Sequence, residues 1–148
     1  MYNKGSCQCR AIAFEFEGPY FLTFCHCQIC QKIHGSAFAP ILHAESKTFK
    51  WLQGEEFLSY FNSSSYLRRA FCSKCGSNMP IVSHELNHIA VPASVMDTPV
   101  EQQPVAHFYT VSKASWFCIN DDALQYETVP PGGIREVYER VLNMNKEK

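Results

Sequence analysis

The sequence predicts a mostly β protein made of short antiparallel strands, with clustered cysteines placed to bind metal. Three observations predict this class: runs in which apolar and polar residues alternate, turn residues that separate those runs at close spacing, and the distribution of cysteine. Seven of the eight cysteines fall into three tight clusters, which are Cys7 with Cys9, Cys25 with Cys27 and Cys30, and Cys72 with Cys75. The 148 residues suit a single domain over 1–148.

The first predicted strand follows the first cysteine pair. From Arg10 to Glu17 the residues alternate, so that Ile12, Phe14 and Phe16 share one face, as in a half-buried strand. Turn residues such as Gly18 and Gly54 separate further β-like runs. We expect strands over 20–24, 36–43, 48–52, 57–61, 66–71, 88–91, 105–109 and 115–119, and one helical turn between residues 28 and 34.

The last segment has a helical rather than a β pattern. After two prolines and two glycines, apolar residues recur at helical spacing, namely Ile134, Val137, Tyr138, Val141 and Leu142. Glu136 and Arg140 form a favourable i,i+4 pair. We expect a C-terminal helix over about 133–142 that packs on a core spanning about 5–119, followed by a frayed tail over 143–148.

Composition excludes several classes of function. The net charge is −1 and the isoelectric point about 6.6, so no basic surface for nucleic acid is expected. No apolar run approaches the roughly 18 residues that span a membrane, and the first ten residues carry no apolar signal region. We therefore expect a cytoplasmic protein without nucleic-acid or membrane partners. In a reducing compartment clustered cysteines usually bind metal or act in catalysis. The sequence does not indicate the oligomeric state.

Seven thiolates divide naturally into one closed and one open zinc site. A tetrahedral Zn²⁺ takes up to four cysteine sulfurs, and a catalytic ion keeps one position open. Spacing allows several partitions. In one, the pairs Cys7–Cys9 and Cys72–Cys75 form a closed four-sulfur site. The triplet Cys25, Cys27 and Cys30 then holds a second ion that can accept a water, a carbonyl oxygen or a thiolate.

Other readings of the cysteines stay open at this point. An even count permits a disulfide scaffold, and the two Cys-x-x-Cys pairs permit a redox motif, although strands do not alternate with long helices here. A nearby histidine (His26, His34 or His43) could complete the triplet as a second structural site. The eighth cysteine, Cys118, lies in an apolar stretch and is expected to be a small buried hydrophobe.

The ordered set of clusters resembles a known family. Three segments, Gly5–Cys9, Cys25–Cys30 and Phe71–Ser77, together with the later stretch His107–Trp116, are similar to the glutathione-dependent formaldehyde-activating family. This family is also called the GFA or centromere-protein-V domain. The resemblance covers roughly residues 5–116. One departure is Arg10, which stands where the family usually has a glycine, so the turn of the closed site is expected to differ.

The resemblance implies a fold of the Mss4-like type with two zinc ions per chain. It implies a structural site at Cys7, Cys9, Cys72 and Cys75, and a catalytic site at Cys25, Cys27 and Cys30. The implied reaction joins glutathione to formaldehyde to give S-hydroxymethylglutathione, a carbon–sulfur lyase activity. Because glutathione is anionic, a cation near the triplet is expected to bind it. Lys32, two residues after Cys30, is the best candidate among Lys32, Arg68, Arg69, Lys74 and Lys113.

Two alternatives to this function remain from the sequence. A non-enzymatic zinc module could bind a protein partner, with four protein ligands at both ions and an exposed apolar patch. An enzyme of the same kind could also act on another thiol or carbonyl substrate.

Overall fold

A computed structural model describes residues 2–146. Its strands are β1 (Tyr2–Ser6), β2 (Ala13–Glu17), β3 (Phe21–Cys25), β4 (Ala39–Ala44), β5 (Lys50–Gln53), β6 (Leu58–Asn62), β7 (Arg68–Cys72), β8 (Asn78–Met79), β9 (Ile81–Ser83), β10 (His88–Pro92), β11 (Pro104–Phe108) and β12 (Leu124–Gln125). Its α-helices are α1 (Gln28–His34) and α2 (Gly133–Lys146). The mostly β class with a C-terminal helix is confirmed. None of the helices described is long and apolar enough to cross a membrane.

The backbone contacts divide the chain into two compact units. The first contains the residues up to Tyr20 and Ile41–Glu101, and the second contains Phe21–Pro40 and the residues from Gln102 onward. The single domain expected from chain length stays a prediction.

The first unit is built from antiparallel strands. Strand β2 pairs with β1 and β5, β10 pairs with β4 and β9, and β7 pairs with β6 and β8. The alternation read from the sequence is present in β2, where Phe14 and Phe16 are fully buried. Phe14 stacks on Phe49 at 5.7 Å between ring centroids, and Trp51 meets Phe49 edge-on at 4.9 Å. These aromatic contacts form part of the core of the first unit.

The second unit departs from the antiparallel expectation. Strand β11 pairs in parallel with both β3 and β12, and Phe108 lies opposite Cys25 in this register. A parallel pair needs a long connection, which the chain between residues 25 and 104 supplies. The apolar face of α2 packs through Val137 and Tyr138 on a cluster that contains Phe21 and Phe108. The C-terminal end of β3, which carries Cys25, is therefore held by its pairing with β11 and by the apolar cluster.

Two local expectations need correction. Residues 115–119 form no strand: the Phe117 N–H donates to the Ala114 carbonyl in a turn, and Trp116 is exposed. Strand β1 was not expected because its inward positions are Asn3 and Gly5 rather than large apolar residues. A Cβ on Gly5 would lie 2.3 Å from the Phe14 ring, so the strand needs glycine to approach β2.

The C-terminal helix is longer than expected. Helix α2 continues to Lys146, so most of the tail expected to fray is helical, and residues 147–148 lie outside the described part of the chain. The expected i,i+4 pair is present, with 3.6 Å between Arg140 and Glu136. The side chain of Leu142 also lies outside the described part.

A pair of histidines packs inside the first unit. His43 on β4 and His88 on β10 stack at 5.2 Å, and His43 Nδ1 lies 3.0 Å from His88 Nε2. Burial, and then the neighbouring imidazole, lowers the pKa of His43 to about 3, and burial also lowers the pKa of His88. Both rings are therefore neutral in the folded protein at neutral pH, and one donates its proton to the other.

This pair should make the protein less stable in acid. Because the folded pKa values lie below the ordinary histidine value, the unfolded chain takes up protons first as pH falls below about 6.5. The free energy of unfolding should fall by about 1 kcal/mol per pH unit for each such histidine, down to the folded pKa. Urea unfolding of the wild type and of His43→Gln between pH 7 and 4.5 measures this slope. The exposed His84→Gln is the control, and a variant slope as steep as the wild-type slope would contradict the expectation.

Candidate metal centres

Four cysteines from two distant segments meet in the first unit. The sulfurs of Cys7, Cys9, Cys72 and Cys75 all lie within 4.8 Å of one another. The distance is 3.6 Å between the sulfurs of Cys7 and Cys9, and 3.9 Å between those of Cys9 and Cys72. Cys7 and Cys72 are buried, whereas Cys9 is exposed. Four thiols at these distances match the donor set of a closed tetrahedral site.

Each pair of this cluster lies on a tight backbone turn. The N–H of Arg10 donates to the Cys7 carbonyl at 2.9 Å, and the N–H of Gly76 donates to the Cys72 carbonyl at 2.8 Å. Both turns end in the left-handed region, with φ of 64° at Arg10 and 80° at Gly76. The expected difference at Arg10 is therefore not one of backbone shape, because the arginine adopts the conformation that suits glycine. The Ile12 N–H also points at the Cys7 sulfur, at 3.2 Å.

The sulfurs of this cluster compete for protons. The Ala11 N–H lowers the pKa of Cys9, but burial and hydrogen bonds with the other three sulfurs outweigh it and raise the pKa to about 11. Burial raises the pKa of Cys75, but hydrogen bonds from Ser77 outweigh it and lower the pKa to about 5. One thiolate therefore forms readily while its neighbour keeps a proton. A divalent cation among the sulfurs would let all four ionise, so the donor set fits Zn²⁺.

The second cluster lies in the second unit, on a single stretch of six residues. The sulfurs of Cys25, Cys27 and Cys30 lie within 4.8 Å of one another. Cys25 ends β3, Cys27 is the N-cap of α1, and Cys30 is buried in the first turn of α1. The Cys30 N–H donates to the Cys27 sulfur at 3.3 Å. The strand end and the helix cap thus bring together three sulfurs that all come from one short segment.

The three sulfurs also need a cation to ionise together. Hydrogen bonds with Cys27 and Cys30, followed by burial, raise the pKa of Cys25 well above its ordinary range. Within the described part of the chain, no histidine nitrogen or carboxylate oxygen joins this group. Three thiols and no fourth protein ligand match the donor set of an open metal site.

The histidines considered as a fourth ligand have other contacts. His26 is fully buried, and its Nε2 lies 2.8 Å from Nδ1 of His107, which is also fully buried. His107 Nε2 lies 3.0 Å from both carboxylate oxygens of Asp121. Burial, and then His107 and Lys113, lowers the pKa of His26 to about 4. No sequence pattern predicts this chain of contacts, because the three residues lie on separate segments.

The expected cations lie in different settings. Lys32 is exposed on α1, two residues after Cys30. Lys113 is hydrogen-bonded to the carbonyls of Ala114 and Phe117. Within the first unit, Arg68 stacks on a tyrosine ring, Lys74 lies over a phenylalanine ring, and Arg69 donates to Ser63. That Lys32 binds an anionic substrate stays a prediction. The expectation of a buried Cys118 is wrong, because this cysteine is exposed.

Comparisons with known proteins agree with this description. The fold is similar to a crystal structure of a Rhodobacter sphaeroides protein from a structural genomics programme, with a TM-score of 0.54 and 20% identity. The match covers 66% of this chain and 91% of that chain. A search of curated protein sequences found no significant match. The family model described as glutathione-dependent formaldehyde-activating enzyme matches residues 2–112.

Fold and site together define a mostly β protein with two cysteine clusters that could hold metal ions. The chain belongs to the glutathione-dependent formaldehyde-activating enzyme family. The family implies an enzyme activity of the formaldehyde-activating kind.

The four-cysteine cluster should bind a metal ion that stabilises the fold. Cys72→Ser removes a fully buried sulfur from it, so bound zinc should fall by one ion per chain. The melting temperature should fall by roughly 10 °C, which corresponds to a loss of about 3 kcal/mol. Elemental analysis and calorimetry measure both quantities. Cys118→Ser removes an exposed cysteine outside the clusters and is the matched control. Equal zinc content in the two variants would contradict the assignment.

The turn at Arg10 should be strained, and glycine should relieve the strain. Holding a residue other than glycine in the left-handed conformation costs about 1 kcal/mol of folding free energy. A change to glycine removes this cost, but the greater freedom of glycine in the unfolded chain cancels part of the gain. Arg10→Gly should therefore raise the melting temperature by roughly 2 °C. Arg10→Ala removes the same side chain but keeps the strain, so it should give no such rise. An alanine variant as stable as the glycine variant would contradict this explanation.

Proposed function

We propose that this protein is a zinc-dependent carbon–sulfur lyase that joins a thiol such as glutathione to a small aldehyde such as formaldehyde. The observation that carries the proposal is the open three-cysteine cluster at the end of β3. Family membership supports the same reaction class. In the reaction the thiol sulfur bonds to the carbonyl carbon, the carbonyl π pair moves to oxygen, and the thiol proton ends on that oxygen. Nothing is oxidised or reduced.

The residues proposed to act are those of the triplet. Cys25, Cys27 and Cys30 would hold one Zn²⁺ and leave its fourth position open, while the four-cysteine cluster would hold a second, structural ion. Zinc at an open position acts as a Lewis acid, which polarises a carbonyl oxygen or lowers the pKa of a thiol. Local hydrogen bonds support the geometry that this role needs. The Cys30 N–H orients the Cys27 sulfur, and the Gln31 side chain donates to the carbonyls of His26 and Ser112 at 2.7 and 2.9 Å.

Substrate binding is proposed to use the exposed cation on α1. Glutathione carries a net negative charge, and a lysine ammonium attracts a carboxylate without fixing one geometry. Lys32 lies on α1, the short helix that Cys27 caps and that carries Cys30, so the proposed carboxylate site and the proposed metal site belong to one local element.

The open cluster favours an enzyme over a non-enzymatic binding module. A purely structural ion would need four protein ligands, and the described residues supply three sulfurs to this group. Another thiol or carbonyl substrate would use the same residues in the same way.

Zinc-loaded protein should accelerate the exchange between formaldehyde plus glutathione and S-hydroxymethylglutathione. NMR exchange spectroscopy measures this rate against the spontaneous rate. Cys27→Ser should return the rate to the spontaneous value and lose the second zinc ion, while Cys118→Ser should keep both. Lys32→Gln should raise the glutathione concentration that gives half-maximal acceleration, without changing the zinc content.

Two results would count against the proposal. A wild-type protein with two bound zinc ions and no acceleration would refute the glutathione–formaldehyde reaction. Full acceleration in Cys27→Ser would refute the catalytic role of the triplet.

A further inference from the structure

A buried chain of hydrogen bonds runs from a partly exposed carboxylate to the residue between two of the triplet cysteines. Asp121 contacts His107 Nε2 through both oxygens at 3.0 Å, and His107 Nδ1 lies 2.8 Å from His26 Nε2. Both imidazole side chains are fully buried, while the carboxylate is 29% exposed. The two rings stack at 5.0 Å between centroids. All three residues lie in the second unit.

The carboxylate sets the direction of every hydrogen bond in this chain. Ionised Asp121 can only accept, so His107 Nε2 carries the proton between them. The Ala123 N–H, which donates to the same carboxylate at 2.9 Å, favours the ionised form. In a neutral His107 the Nδ1 atom is then the acceptor, and His26 Nε2 must donate to it. A neutral imidazole has one donor and one acceptor nitrogen, so His26 Nδ1 is left with a lone pair.

His26 is fixed on its other sides as well. Its backbone N–H donates to the Phe108 carbonyl at 2.8 Å, and its carbonyl accepts from Gln31 at 2.7 Å. The rings of Phe38 and Phe117 lie 5.5 and 6.0 Å from its ring. The buried Nδ1 atom is the one polar atom of this residue that has no hydrogen-bond partner. Most buried polar atoms have a hydrogen-bond partner, so the unpartnered Nδ1 shows that the ring of His26 is hydrogen-bonded through Nε2 alone.

We infer that Asp121 and His107 are positioning residues, which hold His26 as the Nε2-protonated tautomer and thereby hold the Cys25–Cys27 segment in the shape that binds metal. The inference rests on the proposed role of the triplet. His26 stands between two proposed ligands, so a shift of its backbone moves both sulfurs. The hydrogen bonds from the side chain and from the backbone act on the same residue. Together they fix the segment more firmly than a surface turn would.

The tautomer is tested by the ¹⁵N NMR spectrum of the histidine rings in zinc-loaded wild-type protein at neutral pH. In both His26 and His107 we expect a protonated Nε2 and an unprotonated Nδ1. These forms differ in ¹⁵N shift, which a purely steric role for the rings would not determine. A protonated Nδ1 on His26, or two protons on His107, would overturn the inference.

The positioning role is tested with Asp121→Asn. The amide can donate to His107 Nε2, which reverses the chain and places the proton of His26 on Nδ1. The zinc held by the triplet should then bind about tenfold more weakly, as is typical when a partner beyond the ligands is lost. Competition with a chromogenic chelator measures this, and Cys27→Ser identifies which of the two released ions belongs to the triplet. Asp122→Asn changes the adjacent exposed carboxylate and is the matched control.

Equal affinity of the triplet in Asp121→Asn and Asp122→Asn would overturn the positioning role. The wild-type spectrum decides the tautomer even if Asp121→Asn does not fold. Neither measurement uses turnover. The expected tautomer and affinity change without glutathione–formaldehyde exchange would refute the proposed reaction and leave this inference standing.

Discussion

Repulsion between the negative charges of closely spaced cysteine thiolates is the constraint on which the structure depends. Two groups of cysteines lie close enough that their thiolates cannot all form unless a cation lies among them. A metal ion in either cluster would need every sulfur within bonding distance of a common centre, so the shape of the segments that carry the cysteines decides whether it can bind. The fold meets this requirement differently in the two clusters. One draws on segments that are far apart in sequence, and the other uses a single short stretch.

Strand ends supply the rigidity in both cases. Cys25 is the last residue of β3, Cys72 is the last residue of β7, and Cys7 directly follows β1. A residue at a strand end is fixed by the ladder on one side and free to turn on the other, which suits a ligand that must point out of the sheet. The turn then aims backbone N–H groups at sulfur, as Ile12 and Cys30 do. Such hydrogen bonds offset the negative charge that a cysteine-rich ion accumulates.

The sequence was most informative where the pattern is local. The alternation in β2, the helical turn after Cys27 and the cysteine clusters are all visible in short windows, and the structure has them. The alternation does not predict strand β1, because its inward face carries Asn3, which donates to the Gly18 carbonyl, and Gly5, which lets β2 approach. The parallel pairing of β11 could not be read because register between distant segments is set by the whole core. The same reason hides the link from Asp121 through His107 to His26, since no fixed spacing relates these three residues.

The separation of the cysteines along the chain gives the two clusters different histories during synthesis. The triplet spans residues 25–30, so an ion can be captured as soon as this stretch leaves the ribosome. The other cluster joins Cys9 to Cys72, 63 residues later, and its assembly must close that loop. The logarithmic dependence of closure entropy on loop length makes the difference roughly 2 kcal/mol. The three sulfurs of the triplet can therefore meet earlier in synthesis than the four sulfurs of the other cluster.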